Sequence, residues 1–171
     1  MKFRPLRIAL PLLLTALFLF ACSPKQPGGF SAVDMTALTL EPDALAEHLL
    51  TVLTFDDSLV VIDGEIASRL YNVTGLYEAI AAYGSTGATA EAVLVLRCAD
   101  AESAAAAAAK IGKYRSEMAD VYADYNLPES LKLKEALLSA DGRYVVFCVS
   151  PDTAAAENAY HAFVVQAAAE D

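Results

Sequence analysis

Two apolar runs on either side of Asp141-Gly142 carry the clearest structural signal in this 171-residue chain. The first run is Leu133–Ala140 and the second is Arg143–Val149. A two-residue Asp-Gly loop between apolar segments favours a β-hairpin, because both residues tolerate the positive φ of a tight hairpin turn. The sequence therefore predicts two antiparallel strands joined at Asp141-Gly142.

A second pair of apolar runs lies earlier in the chain and predicts two further strands, Leu76–Tyr83 and Ala92–Cys98. The later of these contains Val93-Leu94-Val95-Leu96, which has no polar interruption. Such a run is typical of a central strand that is buried on both sides. This strand should therefore lie in the interior of the sheet.

Each pair of strands is followed by helix signals. Asp100 can cap a helix of roughly 100–125, and Ser150-Pro151 can begin another. This strand–strand–helix repeat predicts an α+β fold with a four-stranded, mainly antiparallel sheet and both helices on one face. Helical patterns over 42–55 and 66–73 add extra helices on the N-terminal side, and Leu59–Ile62 is compatible with one short strand.

The long helix carries an apolar and aromatic stripe at steps of three and four residues. Its members are Ile111, Tyr114, Met118, Val121 and Tyr125. A stripe with this spacing favours packing against a sheet. The alternative is that the tyrosines and the methionine line a ligand pocket, and the pattern alone leaves both possibilities open.

The N-terminus has the layout of a secretory signal. Lys2, Arg4 and Arg7 precede the uncharged apolar run Ile8–Phe20. The run is shorter than the roughly 20 apolar residues that a membrane-spanning helix needs. We therefore predict a signal that directs export.

The signal ends in Leu19-Phe20-Ala21-Cys22, which resembles the lipobox of bacterial lipoproteins. The resemblance implies that Cys22 receives diacylglycerol on its thiol and that the chain is cleaved just before it. We expect a lipoprotein signal peptide over 1–21, a flexible tether over 22–35 and a single α+β domain over 36–171. A cleaved secreted protein and an uncleaved anchor remain as alternatives.

The chain after Ala21 is strongly acidic. It holds nine basic and 22 acidic residues, for a net charge of about −13. Phosphate backbones repel such a surface, so nucleic acid is not an expected partner. The expected partners are the lipid bilayer, through the acylated N-terminus, and an unidentified protein or cell-wall component.

The segment Gly84–Glu91 connects two predicted strands and is rich in glycine and hydroxyl groups. We name Ser85, Thr86, Thr89 and Glu91 as a candidate interaction loop, because such groups can contact an anion or a polar ligand. No lysine follows as in a P-loop, and no histidine lies nearby to activate Ser85. A purely connecting loop is the competing interpretation.

The remaining chemistry-bearing residues predict no cofactor. His48 and His161 lack a second ligand at helical or strand spacing, so no metal site is expected. Cys98 and Cys148 follow strands that should end at opposite edges of the sheet. We therefore expect separate, buried and reduced thiols rather than a disulfide.

Three short segments resemble the signature of an uncharacterised family of Firmicutes-type lipoproteins, catalogued as domain of unknown function 4358. They are Leu70-Tyr71-Asn72, Tyr83-Gly84-Ser85 and Gly87-Ala88-Thr89-Ala90-Glu91. The likeness extends to the later helix and hairpin, which would cover nearly all of the chain after Cys22. The resemblance implies a small extracytoplasmic lipoprotein with no assigned reaction.

Taken with the residues, these patterns predict a lipoprotein anchored at the outer face of the cell membrane. Because the usual catalytic partners are missing from the pattern, a non-enzymatic accessory or binding role is expected. The alternative is a hydrolase-like enzyme built from scattered Asp, Glu, Ser and Tyr residues.

Overall fold

The computed structural model describes residues 33–35 and 38–170, and this part of the chain forms ten regular elements. In chain order they are α1 (Pro42–Val52), β1 (Leu59–Val61), α2 (Gly64–Leu70), β2 (Ala79–Ser85), β3 (Ala92–Arg97), α3 (Ala101–Ala123), α4 (Leu127–Glu135), β4 (Leu137–Asp141), β5 (Tyr144–Val149) and α5 (Thr153–Glu170). The predicted α+β class is confirmed. Within these residues, no helix combines the length and apolarity needed to traverse a bilayer.

All the strands pair in one antiparallel sheet with the order β1-β2-β3-β5-β4. The sheet has five strands rather than the four predicted, because β1 pairs with the outer edge of β2. In that pairing Val61 lies opposite Tyr83, and Leu59 lies opposite Ser85. The addition is physically reasonable, since an unpaired edge leaves backbone N–H and C=O groups without partners.

Helices cover both faces of the sheet, so the prediction that they share one face is wrong. We call the side covered by α2, α3 and α4 the α3 face, and the side covered by α1 and α5 the α5 face. The reason lies in the two central strands, because every residue of β5 is buried. A strand that is apolar on both sides needs cover on both sides.

Side chains of the central strands alternate between the two cores. Leu94, Leu96 and Phe147 point to the α3 face and pack with Ile111 of α3. The neighbouring side chains of the same strands point to the α5 face; they are Val93, Val95, Tyr144 and Val146. They pack with side chains from α1, from α5 and from the segment before α1, namely Leu45, Leu49, Ala156, Tyr160, Val164 and Met35. Met35 is thus packed in the core although the predicted tether extends to residue 35.

The buried stripe of α3 differs from the prediction at its C-terminal end. Ile111 is fully buried, but Val121 and Tyr125 are 51% and 68% exposed. The predicted spacing repeats every 3.5 residues, whereas an α-helix has 3.6, and the stripe drifts by about 20° per heptad. By the last turns the inward positions are Ala119, which is buried, and Tyr122, which packs on the core.

Two helix starts differ from the prediction. Helix α4 lies between the predicted long helix of roughly 100–125 and the predicted strand Leu133–Ala140, so β4 begins only at Leu137. Asn126 precedes α4, and Pro128 lies in its first turn. Helix α5 is capped by Asp152, whose carboxylate accepts a hydrogen bond from the N–H of Ala155 at 2.9 Å, rather than by Ser150.

The hairpin between β4 and β5 is present, but its loop lies one residue later than predicted. Asp141 pairs with Tyr144, so the two loop residues are Gly142 and Arg143. Gly142 has a φ of 57°, and a Cβ there would lie 3.2 Å from the carbonyl oxygen of Met35. Glycine is therefore required both by the turn and by the close approach of the N-terminal segment.

The two cysteines of the domain are separate, buried and unpaired, as predicted. Cys148 lies opposite Val93 at one end of β3, while the N–H of Cys98 bonds to Arg143 just beyond the other end. Five residues of extended chain separate these levels, which corresponds to about 17 Å. The thiols also belong to different cores, Cys98 on the α3 face and Cys148 on the α5 face.

Candidate functional site

The predicted interaction loop folds around the hydroxyl of Ser85, the last residue of β2. Its Oγ donates a hydrogen bond to Oδ2 of Asp57 at 2.6 Å. The same oxygen accepts the N–H groups of Gly87 at 3.2 Å and Thr89 at 3.0 Å. Gly87 has a φ of 113°, which explains a glycine at this point of the loop. Ser85 therefore organises the loop and has no hydrogen-bonding capacity left for a ligand.

Asp57 is the acceptor that fixes the start of the loop. Besides Ser85, its Oδ2 accepts the N–H of Thr86 at 3.1 Å and the hydroxyl of Thr86 at 3.0 Å. The hydrogen bond from Ser85, with those from Ser58 and Thr86, lowers the pKa of Asp57 below its ordinary value. Asp57 is therefore a stable anion that ties the β2–β3 loop to the segment before β1.

Glu91 ends the loop and is almost completely buried at 1% exposure. Its carboxylate accepts the backbone N–H groups of Asp56 and Asp57, each at 3.0 Å, and the hydroxyl of Thr89 at 3.1 Å. It also accepts Lys132 Nζ at 3.1 Å. A buried carboxylate requires this number of partners, because its charge is expensive to remove from water.

Lys132 on α4 is the cation that compensates these carboxylates. Its Nζ lies 2.7 Å from Asp56, 3.1 Å from Glu91 and 2.9 Å from Glu129. Burial alone would lower the pKa of Lys132, but the bonds to Asp56, Glu129 and Glu91 outweigh it and hold the pKa above its ordinary value. Glu129 in turn accepts the N–H of Ala90 at 2.8 Å, so α4 is fastened directly to the loop.

We call this set of contacts the loop network; its members are Asp56, Asp57, Ser85, Thr86, Thr89, Glu91, Glu129 and Lys132. The structure brings together all four residues of the predicted interaction loop. Their polar side chains bond to one another and to the other members of the network. Four carboxylates and one ammonium leave the network with a net negative charge.

A cleft of about 140 Å³ lies between the loop and α3. We call it the tyrosine cleft, because three tyrosines line it together with apolar side chains and the loop residues Ser85 and Thr89; the principal residues are Leu70, Tyr71, Tyr114, Met118, Tyr122 and Leu133. Tyr122 donates a hydrogen bond to the carbonyl of Thr89 at 3.3 Å. Both interpretations of the predicted α3 stripe therefore hold for part of it. Ile111 packs in the core, whereas Tyr114 and Met118 line the cleft.

Tyr71 is the most deeply buried of the three tyrosines that line the cleft. Its ring is edge-on to Tyr114, with 4.7 Å between centroids, and to Phe147, with 6.0 Å. Burial, with a smaller effect of Tyr114, raises the pKa of Tyr71 well above its ordinary value. The phenol is therefore neutral at physiological pH and available as a hydrogen-bonding hydroxyl.

The sequence model of one family, a domain of unknown function (DUF4358), matches residues 56–150. The chain belongs to this family. The match begins at Asp56 and contains the whole loop network, the tyrosine cleft and the five strands. The matched range is shorter than the sequence resemblance implied. Helices α1 and α5 lie outside it. No curated protein and no solved structure is significantly similar to the chain.

The other candidate residues lie away from this site. Cys22 falls outside the described residues. His48 packs against Phe163 with 5.2 Å between ring centroids, and His161 lies beside Tyr160. In residues 33–35 and 38–170, no three His, Cys, Asp or Glu side chains are grouped as metal ligands would be.

Four residues of the site were not identified from the sequence, namely Asp56, Asp57, Glu129 and Lys132. Tyr71 was noted only as part of the family resemblance. A signal for two of them was available, because Glu129 and Lys132 lie in the first and last turns of α4, where acidic and basic residues are favoured. Asp56 and Asp57 lie before a three-residue strand, and their pairing with residues about 30 positions later has no local signature.

Proposed function

We propose that this chain is a lipid-anchored extracytoplasmic lipoprotein whose domain binds a ligand or partner and does not catalyse a reaction. The proposal has two parts, an address and a binding role. The address rests on the lipobox-like Leu19-Phe20-Ala21-Cys22 after a short apolar run. Two acyl chains on Cys22 would give stable attachment to a bilayer, whereas a single chain would be marginal.

The binding role rests on the way that the polar groups of the site are used. A general base or nucleophile needs a reactive atom that faces substrate. The Ser85 hydroxyl, the Asp57 carboxylate and the Glu91 carboxylate instead form bonds within the loop network. This internal commitment is the observation that carries the binding role, because it makes the network a rigid wall for the adjoining cleft.

The address is tested with Cys22→Ala in cells that express the full chain. We expect the variant to lose the incorporation of labelled palmitate and to leave the membrane pellet or remain unprocessed, because the proposed lipid is attached to the Cys22 thiol. Cys98→Ala is the matched control, since it removes a buried thiol from the domain. A Cys22→Ala chain that stays in the pellet at the processed size, still labelled, would contradict the anchor.

A further inference from the structure

We propose that the tyrosine cleft binds a small organic cation, an ammonium group carried by a single ring or a short apolar chain. This inference deepens the binding role proposed above and names the class of ligand. It does not depend on the lipid anchor. The argument uses the size of the cleft, the orientation of one hydroxyl and the charge around it.

The size of the cleft sets the size of the ligand. Its volume of about 140 Å³ is close to that of an apolar cavity of about 150 Å³ in another protein that holds one benzene molecule. The apolar part of the wall comes from Ile62, Leu70, Met118 and Leu133. A six-membered ring or a chain of similar volume therefore matches the size of the cleft.

The hydroxyl of Tyr71 provides a polar contact at the inner end. Tyr71 is only 2% exposed, and no hydrogen bond from the described residues reaches its hydroxyl. Among these residues, every side-chain nitrogen or oxygen that is fully enclosed has a partner. The Tyr71 oxygen is therefore not enclosed, and its open side is the cleft that Tyr71 lines. A buried hydroxyl without a protein partner is poised to bond a ligand.

The charge around the cleft selects a cation. Ser85 and Thr89 line the cleft and donate hydrogen bonds to Asp57 and Glu91, so each of these carboxylates is one hydroxyl away from it. Burial and the phenol of Tyr125 raise the pKa of Tyr122, and the charge of Glu129 adds to this rise. Lys132, the cation of the loop network, is already paired with three carboxylates. The remaining potential is negative, and it attracts an ammonium and repels a carboxylate or a phosphate.

These contacts fit the two ends of an alkyl ammonium. Its N–H groups can donate to the hydroxyl oxygen of Tyr71, and the tyrosine rings add the attraction of a cation to an aromatic face. Its apolar part packs on Met118 and Leu70. Binding should depend on the positive charge and on the Tyr71 hydroxyl, and these two dependences can be measured separately.

The charge dependence is tested by calorimetric titration at pH 7 with three probes of nearly the same shape. The probes are cyclohexylammonium, cyclohexanol and cyclohexanecarboxylate. The protein is the full chain as cells process it, held in nanodiscs of zwitterionic lipid, with empty nanodiscs as the blank. We expect the cation to bind at least about tenfold more tightly than the alcohol, and the carboxylate to give no measurable binding.

The hydroxyl dependence is tested with Tyr71→Phe, which removes one oxygen that has no protein partner. We expect affinity for cyclohexylammonium to fall about tenfold or more, as for a lost hydrogen bond to a charged group. Tyr83→Phe is the matched control, because Tyr83 packs on the α5 face, away from the cleft. Its affinity should equal that of the unmodified chain.

The proposal is overturned if cyclohexylammonium does not bind, or if the alcohol or the carboxylate binds as tightly. It is also overturned if Tyr71→Phe binds the cation as well as the unmodified chain does. Any of these results would leave the lipid anchor untouched, since anchoring is measured by fractionation and labelling. Conversely, a chain without lipid can be titrated in buffer and still bind the cation.

Discussion

Tyr71 and Tyr144 are both almost fully buried, but they are used in opposite ways on the two faces of one sheet. On the α5 face, the Tyr144 hydroxyl donates to the carbonyl of Leu38 at 3.0 Å and accepts the N–H of Leu40 at 2.9 Å. On the α3 face, the Tyr71 hydroxyl has no partner in the described residues, and the residue lines the tyrosine cleft. The Tyr144 hydroxyl fixes the segment before α1 to the sheet, while the Tyr71 hydroxyl can still form a hydrogen bond.

The comparison sets a hydroxyl that is bonded within the fold against one without a protein partner in the described residues, and the proposed binding role uses the second. The α5 face is covered by α1, α5 and the segment before α1, and its buried Tyr144 hydroxyl bonds to the backbone of that segment. The α3 face keeps an open cleft next to its core, and the loop network holds the cleft wall in place. Polar groups buried without partners are unfavourable, so an unpartnered hydroxyl is a mark of a binding site rather than of a folding core.

The largest effect on stability is expected from Glu91→Ala, which removes a buried carboxylate from the loop network beside the tyrosine cleft. The change removes one of the three carboxylates that pair with Lys132 and leaves two backbone N–H groups without their buried partner. We expect a loss of about 4 kcal/mol in the free energy of unfolding, at about 1–3 kcal/mol for each unsatisfied N–H group and a further contribution from the lost charge pair. Urea unfolding measures it. Glu47→Ala, at an exposed glutamate of α1, is the control and should change stability by less than about 0.5 kcal/mol.

A loss below about 1 kcal/mol for Glu91→Ala would mean that the network is not a rigid wall. The difference between the two faces would then have to be explained without it.

Tyr144→Phe should produce the next largest effect, because it removes the hydroxyl that bridges Leu38 and Leu40. One buried N–H and one buried carbonyl then lack a partner, at about 1–3 kcal/mol each, so we expect a loss of about 3 kcal/mol. The same chemical unfolding experiment applies. A neutral Tyr144→Phe would show that the N-terminal segment is not fixed by this residue.

Ionisation of Cys98 and Cys148 should have a smaller, pH-dependent effect on the free energy of unfolding. This effect tests whether the cores on both faces exclude water equally. Burial raises the pKa of Cys98 to about 11 and that of Cys148 to about 12, from an ordinary value of 9.0. Above pH 9 the unfolded chain loses these protons and the folded chain keeps them, so stability falls as pH rises. The expected loss between pH 9 and pH 10 is about 2 kcal/mol for the two thiols together.

The free energy of unfolding is measured at pH 8, 9 and 10 for the unmodified chain and for a Cys98→Ala/Cys148→Ala variant. The loss of stability that the thiols cause should be absent from the variant. An identical pH dependence in both chains would indicate that the thiols already meet water in the folded state. A difference carried by Cys98 alone would indicate that only the α5 face is open.

Much of the architecture could be predicted from local patterns, but the helices that cover each face and the full set of site residues could not. The hairpin at Gly142, the long helix capped by Asp100 and the separation of Cys98 from Cys148 follow from short segments. The side on which α5 packs and the addition of β1 depend on pairings between distant residues. For the same reason, the loop residues Ser85 and Glu91 were recognised as a group, while their partners Asp57 and Lys132 were not.

Tyr71→Phe should have the smallest effect on stability, although the residue is as deeply buried as Tyr144. No protein hydrogen bond is lost, so the free energy of unfolding should change by less than about 0.5 kcal/mol. Measured beside Tyr144→Phe, it gives a pair of identical substitutions on opposite faces. A loss of about 2 kcal/mol or more would show that Tyr71 has a structural partner and that the cleft is closed.

The most direct test of the difference between the faces is the exchange of the two hydroxyl protons. The chain is labelled with ¹³C at the tyrosine ring carbon that bears the oxygen, and spectra are recorded in an equal mixture of H₂O and D₂O. The signals are assigned with the two Tyr→Phe variants. A slowly exchanging hydroxyl gives two resolved signals, and a rapidly exchanging one gives a single averaged signal. We expect two signals for Tyr144 and one for Tyr71; two signals for both residues would contradict an open cleft at Tyr71.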